Sequence, residues 1–236
     1  GDLAGALAAA EKAIETAPED PMAKLRKAEL LIDMGVKEDS KERLGQGRAI
    51  VDAVLAKSPG MAEAHFVRAK LELSQRKADD AVASLRRTLD RREDWAQAHF
   101  VLASALLMQN ETQQARAEVL RAIELEAEFI EARRLLTKLH SLLGEHDLAI
   151  EEGRRVLKQR PDDWETRIVM AQSMVASNRI DEARQELDTI PLDQRGAELN
   201  FAIGRIDLLQ GRSEAAREKL LAALESQPQH PEILES

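Results

Sequence analysis

The sequence contains no cysteine and no tyrosine, and aromatic residues make up only 3% of its 236 residues. Without cysteine the chain can form no disulfide, thiolate nucleophile or cysteine-based zinc site. The scarcity of aromatics removes the large side chains that usually fill a globular core. No stretch is long and apolar enough to span a bilayer, so we expect no direct membrane insertion. The net charge of −9 also argues against nucleic acid as a ligand, because a phosphate backbone requires a concentrated basic face.

Patterns that carry chemistry are missing as well. The five histidines show no metal-ligand spacing, and His65 and His99 simply occupy equivalent places 34 residues apart. The segment 45–50 contains two glycines but follows no strand, so it does not predict a phosphate-binding loop. Acidic pairs such as Asp79-Asp80 lie where helices begin, where a negative charge is favoured by the helix dipole. We therefore expect no enzyme activity, no cofactor and no metal.

Alanine and leucine dominate instead, and they recur with a fixed period. One series of small residues, each in the middle of an apolar segment, has steps of 34 residues: Ala81, Ala115, Ala149 and Ala183. A second series has the same steps: Ala69, Ala103, Thr137 and Ala171. Both series shift together, with seven extra residues upstream and one residue fewer downstream. The sequence therefore predicts a repeat of about 34 residues.

Each repeat is predicted to form a helix, a tight turn, a second helix and a loop. Apolar residues fall at three- and four-residue steps, which indicates helices, and no run alternates with period two. Residues suited to a left-handed turn separate the two helices at Gly1, Gly35, Asn110, Gly144, Asn178 and Gly211, with Arg76 in the equivalent place. Proline closes several repeats, at Pro18, Pro59, Pro161 and Pro228. First helices are predicted at 21–34, 62–75, 96–109, 130–143, 164–177 and 197–210. Second helices are predicted at 2–16, 39–57, 79–91, 113–126, 147–159, 181–189 and 214–226.

A 34-residue helical hairpin with small residues at repeat positions 8 and 20 resembles the tetratricopeptide repeat family. The segment 96–129 follows the family pattern without a gap, with Leu102-Ala103, Ala115 and Ala122 at the matching places. The tryptophan that the family carries at position 4 is replaced, by Lys24, His65, His99, Arg133, Arg167 and Asn200. The resemblance implies an all-α, right-handed superhelical solenoid of antiparallel helix hairpins, with about 13 helices.

The resemblance covers the whole chain as one array, 1–236. It divides into a half repeat at 1–20, repeats at 21–61, 62–95, 96–129, 130–163, 164–196 and 197–230, and a stub at 231–236. We expect this array to be a region excised from a longer protein.

Two irregularities interrupt the regular repeat. The insertion 36–43 is expected to lengthen a second helix capped by Ser40 or Asp39, and Ile190-Pro191-Leu192 is expected to shorten another helix and form a flexible joint.

In the tetratricopeptide family, positions 2, 5, 9, 12 and 13 of the first helices line a concave groove that binds peptides. Position 5 here holds three of the four phenylalanines. The resemblance therefore implies a partner-binding groove formed by Phe66, Lys70, Leu73, Phe100, Ser104, Leu107, Arg134, Lys138, Ile168, Gln172, Phe201 and Arg205. Such a groove suits an apolar segment with acidic flanks. Packing of the phenylalanines between adjacent first helices is the alternative interpretation. Trp95, Phe129 and Met61 are predicted to pack between repeats.

These features predict a protein–protein interaction scaffold that binds a peptide or helix of a partner protein. The composition is similar to that of bacterial members of the family, many of which support envelope assembly or exopolysaccharide secretion. Two alternatives stay open: a substrate-recruiting or regulatory arm of a larger enzyme, and an array that assembles with copies of itself into a homo-oligomer. The bacterial cytoplasm and the periplasm both remain open as compartments.

Overall fold

The structure is a computed structural model that describes residues 2–191, 194 and 196–226. Over these residues the chain is all-α, with thirteen helices and no strand, which confirms the predicted fold class. The helices are α1 Leu3–Thr16, α2 Pro21–Lys37, α3 Lys41–Lys57, α4 Ala62–Ser74, α5 Ala78–Leu89, α6 Ala96–Met108, α7 Thr112–Leu125, α8 Ile130–Leu142, α9 His146–Gln159, α10 Trp164–Ala176, α11 Ile180–Asp188, α12 Ala197–Leu209 and α13 Ser213–Ser226. The predictions for Gly1, Leu192, Pro228 and the stub 231–236 lie outside the described residues.

The helices form two compact units, Gly1–Glu128 with α1–α7 and Phe129–Ser236 with α8–α13. In the first unit, the hairpins α2/α3, α4/α5 and α6/α7 stack through contacts of α4 with α2 and α6. In the second unit, the hairpins α8/α9, α10/α11 and α12/α13 stack through contacts of α10 with α8 and α12. Each unit is thus a solenoid of repeated hairpins. The continuous array over 1–236 stays a prediction.

The small residues of the two repeat series lie at the joints between helices. All of the following are 0% exposed: Ala28, Ala69, Ala81, Ala103, Ala115, Ala149, Ala171, Ala183 and Ala216. Gly47 occupies the same series on α3. A Cβ atom added there would lie 2.9 Å from Cγ1 of Ile32 and 3.1 Å from the carbonyl oxygen of Ala28. These positions therefore need small side chains because the helices approach to near contact.

Left-handed residues make the turns inside the hairpins, as predicted in five places. Positive φ angles occur at Arg76 (57°), Asn110 (62°), Gly144 (74°), Asn178 (59°) and Gly211 (74°). The prediction for Gly35 is wrong, because this glycine is buried inside α2 against Leu44. Asp39, with a φ of 50°, makes that turn instead.

The seven-residue insertion is shared between two helices rather than confined to one. Both α2 and α3 have 17 residues, whereas the other first helices have 13. The predicted lengthening of the second helix is confirmed, and α2 is also longer than expected. Ser40 caps α3, since its Oγ accepts a hydrogen bond from the Arg43 backbone N at 3.4 Å.

Polar side chains take the place of the family's tryptophan at position 4, and in several repeats they link three parts of the repeat. Arg167 on α10 donates from Nη1 to Glu186 on α11 at 2.6 Å, and from Nη2 to the carbonyl oxygen of Pro161 in the preceding loop at 3.0 Å. We call the contact between the position-4 side chain and this glutamate the position-4 bridge. The same bridge joins His99 to Glu118 at 2.6 Å and Arg133 to Glu152 at 3.1 Å.

The shortest helix is held by a buried carboxylate. α11 has only nine residues and ends before Pro191, as predicted from that proline. Arg184 on α11 donates to Asp207 on α12 at 2.6 Å, and Arg212 donates to the same oxygen at 2.8 Å. Asp207 is 2% exposed, so two arginines neutralise a charge that would be costly to bury alone. Flexibility at this joint stays a prediction.

Substitution of the glycines of α3 tests how closely α3 approaches α2. Gly47→Ala should lower the free energy of unfolding, because the added methyl group meets Ile32 and the Ala28 carbonyl. Gly45→Ala is the matched control on the same helix, since a Cβ there meets nothing within 4 Å. The control should raise stability by about 0.5–1 kcal/mol through helix propensity. Urea unfolding followed by circular dichroism should separate the two variants by at least about 1 kcal/mol. Equal stabilities would contradict the close approach.

Candidate functional site

The twelve predicted groove residues lie on first helices, six in each compact unit. We call the first set the unit-1 face, formed by Phe66, Lys70, Leu73, Phe100, Ser104 and Leu107 on α4 and α6. We call the second set the unit-2 face, formed by Arg134, Lys138, Ile168, Gln172, Phe201 and Arg205 on α8, α10 and α12. Their role in binding stays a prediction, and the structure defines the surroundings of each.

The aromatic part of the unit-1 face is largely buried. Phe66 is 9% exposed, and its ring centroid lies 4.5 Å from that of Trp95 at the start of α6. The guanidinium of Arg92 lies 4.3 Å above the Trp95 ring. Trp95, the last residue of the repeat 62–95, therefore packs against the first helix of its own repeat. Packing of Trp95 between repeats stays a prediction. Phe100 remains half-buried, so it presents more of its ring to solvent than Phe66 does.

The charged part of the unit-1 face is an ion-pair cluster between α2 and α4. Lys70 Nζ lies 2.8 Å from Oε1 of Glu29 and 3.2 Å from Oδ1 of Asp33. Partial burial acts to raise the pKa of the Glu29 carboxyl. Hydrogen bonds and charge attraction from Lys70 and Arg26 outweigh it, so the pKa lies below its ordinary value of 4.5. Lys70 therefore forms ion pairs with two carboxylates of the chain itself, Glu29 and Asp33. The sequence analysis did not predict this pairing.

The unit-2 face also contains a cation, Arg134, that forms ion pairs with carboxylates of the chain itself. Arg134 Nε lies 2.6 Å from Oδ2 of Asp163, and its Nη2 lies 2.6 Å from Oε2 of Glu165. Asp163 caps α10 by accepting a hydrogen bond from the Thr166 backbone N at 3.1 Å. Arg134 thus fixes the start of α10 next to α8. Lys138, four residues along α8, is exposed.

A small cavity opens between α10, α11 and α12 on the unit-2 face. Its volume is about 170 Å³, and it is lined by Ala171, Gln172, Val175, Ala176, Leu187, Ala202, Arg205 and Ile206. Gln172 and Arg205 are the only polar side chains in this lining. Arg205 is exposed, and its guanidinium carbon lies 5.7 Å from the centre of the Phe201 ring. Phe201 itself is 5% exposed and packs in the core. The arrangement can receive an aliphatic side chain beside an acceptor or an anion.

Sequence reasoning assigned Gln172 and Arg205 to a groove, and the structure places both in the lining of this cavity, whose apolar wall was not predicted. The wall consists of Ala171, Val175, Ala176, Leu187, Ala202 and Ile206, of which the sequence analysis had assigned only Ala171, as a small residue at a helix joint. The signal was the small side chain of Ala202, since it leaves space between α10 and α12 that a larger residue would fill.

Two negative findings apply to the described residues. None of the helices there is long and apolar enough to cross a membrane. Over residues 2–191, 194 and 196–226, no three or more histidine, aspartate or glutamate side chains are grouped in a way that could hold a metal ion.

The hairpins, the small-residue joints and the two faces define an α-helical repeat protein. Comparison with family profiles identifies the repeat. Two profiles described as Tetratricopeptide repeat match this chain, one at residues 142–200 and the other at 39–92 and 66–128. Together they cover more than half of the chain. The chain belongs to the tetratricopeptide repeat family, and it is a protein-interaction scaffold of the kind that these repeats form.

Solved structures with a similar fold include several tetratricopeptide repeat proteins. PilW, described as a widely conserved type IV pilus biogenesis factor, matches with a TM-score of 0.73 at 17% identity, over 88% of this chain and 97% of its own. PilF of Pseudomonas aeruginosa matches with a TM-score of 0.71 at 18% identity, over 89% and 97%. YrrB, described as having an unusual peptide-binding site, matches with a TM-score of 0.62 at 19% identity, over 78% and 96%. No curated protein matches the chain. At these identities the likeness concerns the fold alone.

The ion-pair cluster of the unit-1 face should make stability depend on pH. Because the folded pKa of Glu29 lies below 4.5, its contribution is present above pH 4.5 and is lost as the pH falls through the folded pKa. Glu29→Gln should therefore destabilise the protein at pH 7 and have a smaller effect at pH 3. Thermal unfolding of both proteins at the two pH values measures this difference.

Glu15→Gln provides the control for this experiment. Glu15 is exposed on α1, and its substitution removes the same charge. Its effect should be small at both pH values. An equal loss of stability at pH 7 and pH 3 in Glu29→Gln would contradict the assigned role of the carboxylate.

Proposed function

We propose that the chain binds an extended or helical segment of a partner polypeptide, with the unit-2 face as the principal contact. The observation that supports this proposal is the 170 Å³ cavity between α10 and α12, with Arg205 exposed at its edge. Partner side chains that fill such pockets contribute most of the affinity in protein interfaces. An aliphatic anchor in the cavity would bring a neighbouring acidic residue next to Arg205.

The charges on the two faces favour this location within the scaffold. On the unit-1 face, Lys70 is paired with Glu29 and Asp33, so an incoming anion would have to displace carboxylates held at 2.8 and 3.2 Å. On the unit-2 face, Arg205 and Lys138 are both exposed. A partner segment with an apolar anchor and acidic flanks is therefore complementary to the unit-2 face.

The biological setting is proposed from composition and fold. The alanine- and arginine-rich, cysteine-free sequence is similar in style to bacterial tetratricopeptide proteins. PilW, whose fold is similar, is described as a type IV pilus biogenesis factor. Both observations favour a partner in bacterial envelope or exopolysaccharide assembly.

Selection of peptides from a random displayed library against the whole chain tests this function. Recovered peptides should share an aliphatic residue next to aspartate or glutamate. Arg205→Glu should weaken their binding by at least roughly tenfold, which corresponds to loss of about 1.4 kcal/mol. Fluorescence anisotropy with labelled peptides measures the dissociation constants.

Arg217→Glu is the matched control, because Arg217 is equally an exposed arginine but lies on α13 outside the cavity lining. It should change affinity by less than twofold, and both variants should keep the wild-type helix content. Peptides that bind Arg205→Glu as tightly as the wild type would exclude the unit-2 face as the site.

A further inference from the structure

A larger cavity lies in the first unit and is lined by other residues than the unit-1 face. It opens between α1, α2 and α3 and has a volume of about 570 Å³. This volume falls within the range of small-molecule sites. Its walls are formed by Ile14, Pro21, Ala49, Ile50, Ala53 and Val54, and its rim by Glu19, Lys24, Lys27, Lys57 and Ser58. None of the twelve predicted groove residues lines it.

The cavity exists because the first full repeat departs from the pattern of the later ones. In α7, α9 and α11 the third residue after the central alanine is the glutamate of the position-4 bridge, but in α3 the equivalent residue is Ile50. Three residues further along, α5, α7 and α9 carry arginines, whereas α3 carries Ala53. The second helix of the first full repeat thus has two apolar side chains at the two places where α7 and α9 have a glutamate and an arginine. Lys24, its position-4 cation, receives no carboxylate from α3 among the described contacts.

The rim of this cavity has an excess of positive charge. Lys57 Nζ lies 2.8 Å from Oε2 of Glu19, and Lys24 Nζ lies 3.9 Å from the same oxygen. Lys27 is paired with Glu11 at 2.8 Å. The Glu19 side chain is 80% exposed and that of Lys57 is 70% exposed. Such exposed pairs contribute little to stability, so a ligand carboxylate can replace Glu19 between the two lysines at small cost.

The walls favour an aliphatic ligand over a peptide or a sugar. Ser58 is the only neutral hydrogen-bonding side chain in the lining. Most of the lining residues belong to α1, α2 and α3, whose backbone groups are engaged within the helices. A peptide backbone or a sugar would therefore find few hydrogen-bonding partners on these walls.

We propose that this cavity binds an amphiphilic carboxylate. The aliphatic chain lies against Ile14, Ile50 and Val54, and the carboxylate lies between Lys24 and Lys57. The charge of the rim selects the anion, and the alanines of α3 provide the room for the chain. This site is separate from the polypeptide-binding face proposed above, and either can exist without the other.

Isothermal titration calorimetry of the whole chain with decanoate, below its micelle concentration, tests the proposal. Decanoate should bind saturably at one site. Acetate, which has the charge alone, and decyltrimethylammonium, which has the chain with the opposite charge, should bind at least tenfold more weakly. Equal binding of the cationic amphiphile, or no saturable binding of decanoate, would overturn the proposal.

A double variant closes the cavity with residues that the fold already uses elsewhere. Ile50→Glu with Ala53→Arg gives α3 the residue types that α9 carries at Glu152 and Arg155. It should keep the helix content, supply Lys24 with a carboxylate, and lose decanoate binding by more than tenfold. Gln114→Glu with Ala117→Arg places the same pair at exposed sites on α7 and should leave binding within twofold.

A second variant, with a single surface substitution, tests the proposal even if the double variant does not fold. Lys57→Glu reverses a charge on a side chain that is 70% exposed and outside the core. It should weaken decanoate binding by about tenfold without changing the thermal midpoint. Wild-type affinity in either folded variant would show that decanoate binds elsewhere and would overturn the assignment of this cavity.

Discussion

The fold depends on how closely its helices approach at the small-residue positions. The central alanines of α5, α7, α9, α11 and α13 are completely buried, as are most of the alanines facing them from the first helices. Where glycine takes such a place, at Gly47 and Gly204, an added Cβ would lie 2.9 and 2.8 Å from the neighbouring side chain. Because the helices are so close at these positions, the larger side chains around the small residues can pack in few ways. The repeat in the sequence is therefore also a repeat of one packing geometry.

The polar positions, in contrast, differ from one repeat to the next. In three repeats an arginine or a histidine at position 4 contacts a glutamate and ties the first helix to the second. In the first full repeat the same positions hold Lys24 and Ile50, and a cavity replaces the bridge. On the first-helix side, Lys70 and Arg134 are bound to neighbouring carboxylates, while Arg205 stands exposed at a small apolar cavity. The repeats thus differ in which cations are paired with carboxylates of the chain and which are exposed.

Much of this architecture was predictable from the sequence, because the period fixes it. Most predicted helix boundaries lie within two residues of the observed ones, and Asn110, Gly144 and Asn178 make the turns they were assigned. Gly35 was misassigned because the insertion moves the turn to Asp39, one of the few residue types besides glycine that adopt a left-handed conformation. A period alone cannot place an insertion between two helices.

The candidate site was less predictable than the fold. Phe66 and Phe201 occupy the same repeat position as Phe100, yet both are buried, because the depth of a side chain depends on what packs above it. Trp95, which covers Phe66, comes from the next repeat boundary. The pairing of Lys70 and Arg134 depends likewise on acidic residues from neighbouring helices. The number of residues between the partners of such contacts varies along the chain, so the repeat period does not predict them.

The position-4 bridge is the contact that replaces the tryptophan of the family, and a double-mutant cycle tests it most directly. The cycle would combine Arg167→Met and Glu186→Gln, with Arg121→Met and Glu124→Gln as the reference pair on α7. Arg167 and Glu186 are 14% and 29% exposed, whereas Arg121 and Glu124 are 47% and 65% exposed. We predict a coupling energy of at least about 1 kcal/mol for the bridge and below about 0.5 kcal/mol for the surface pair. Equal coupling in the two cycles would mean that the bridge does not hold the repeat together.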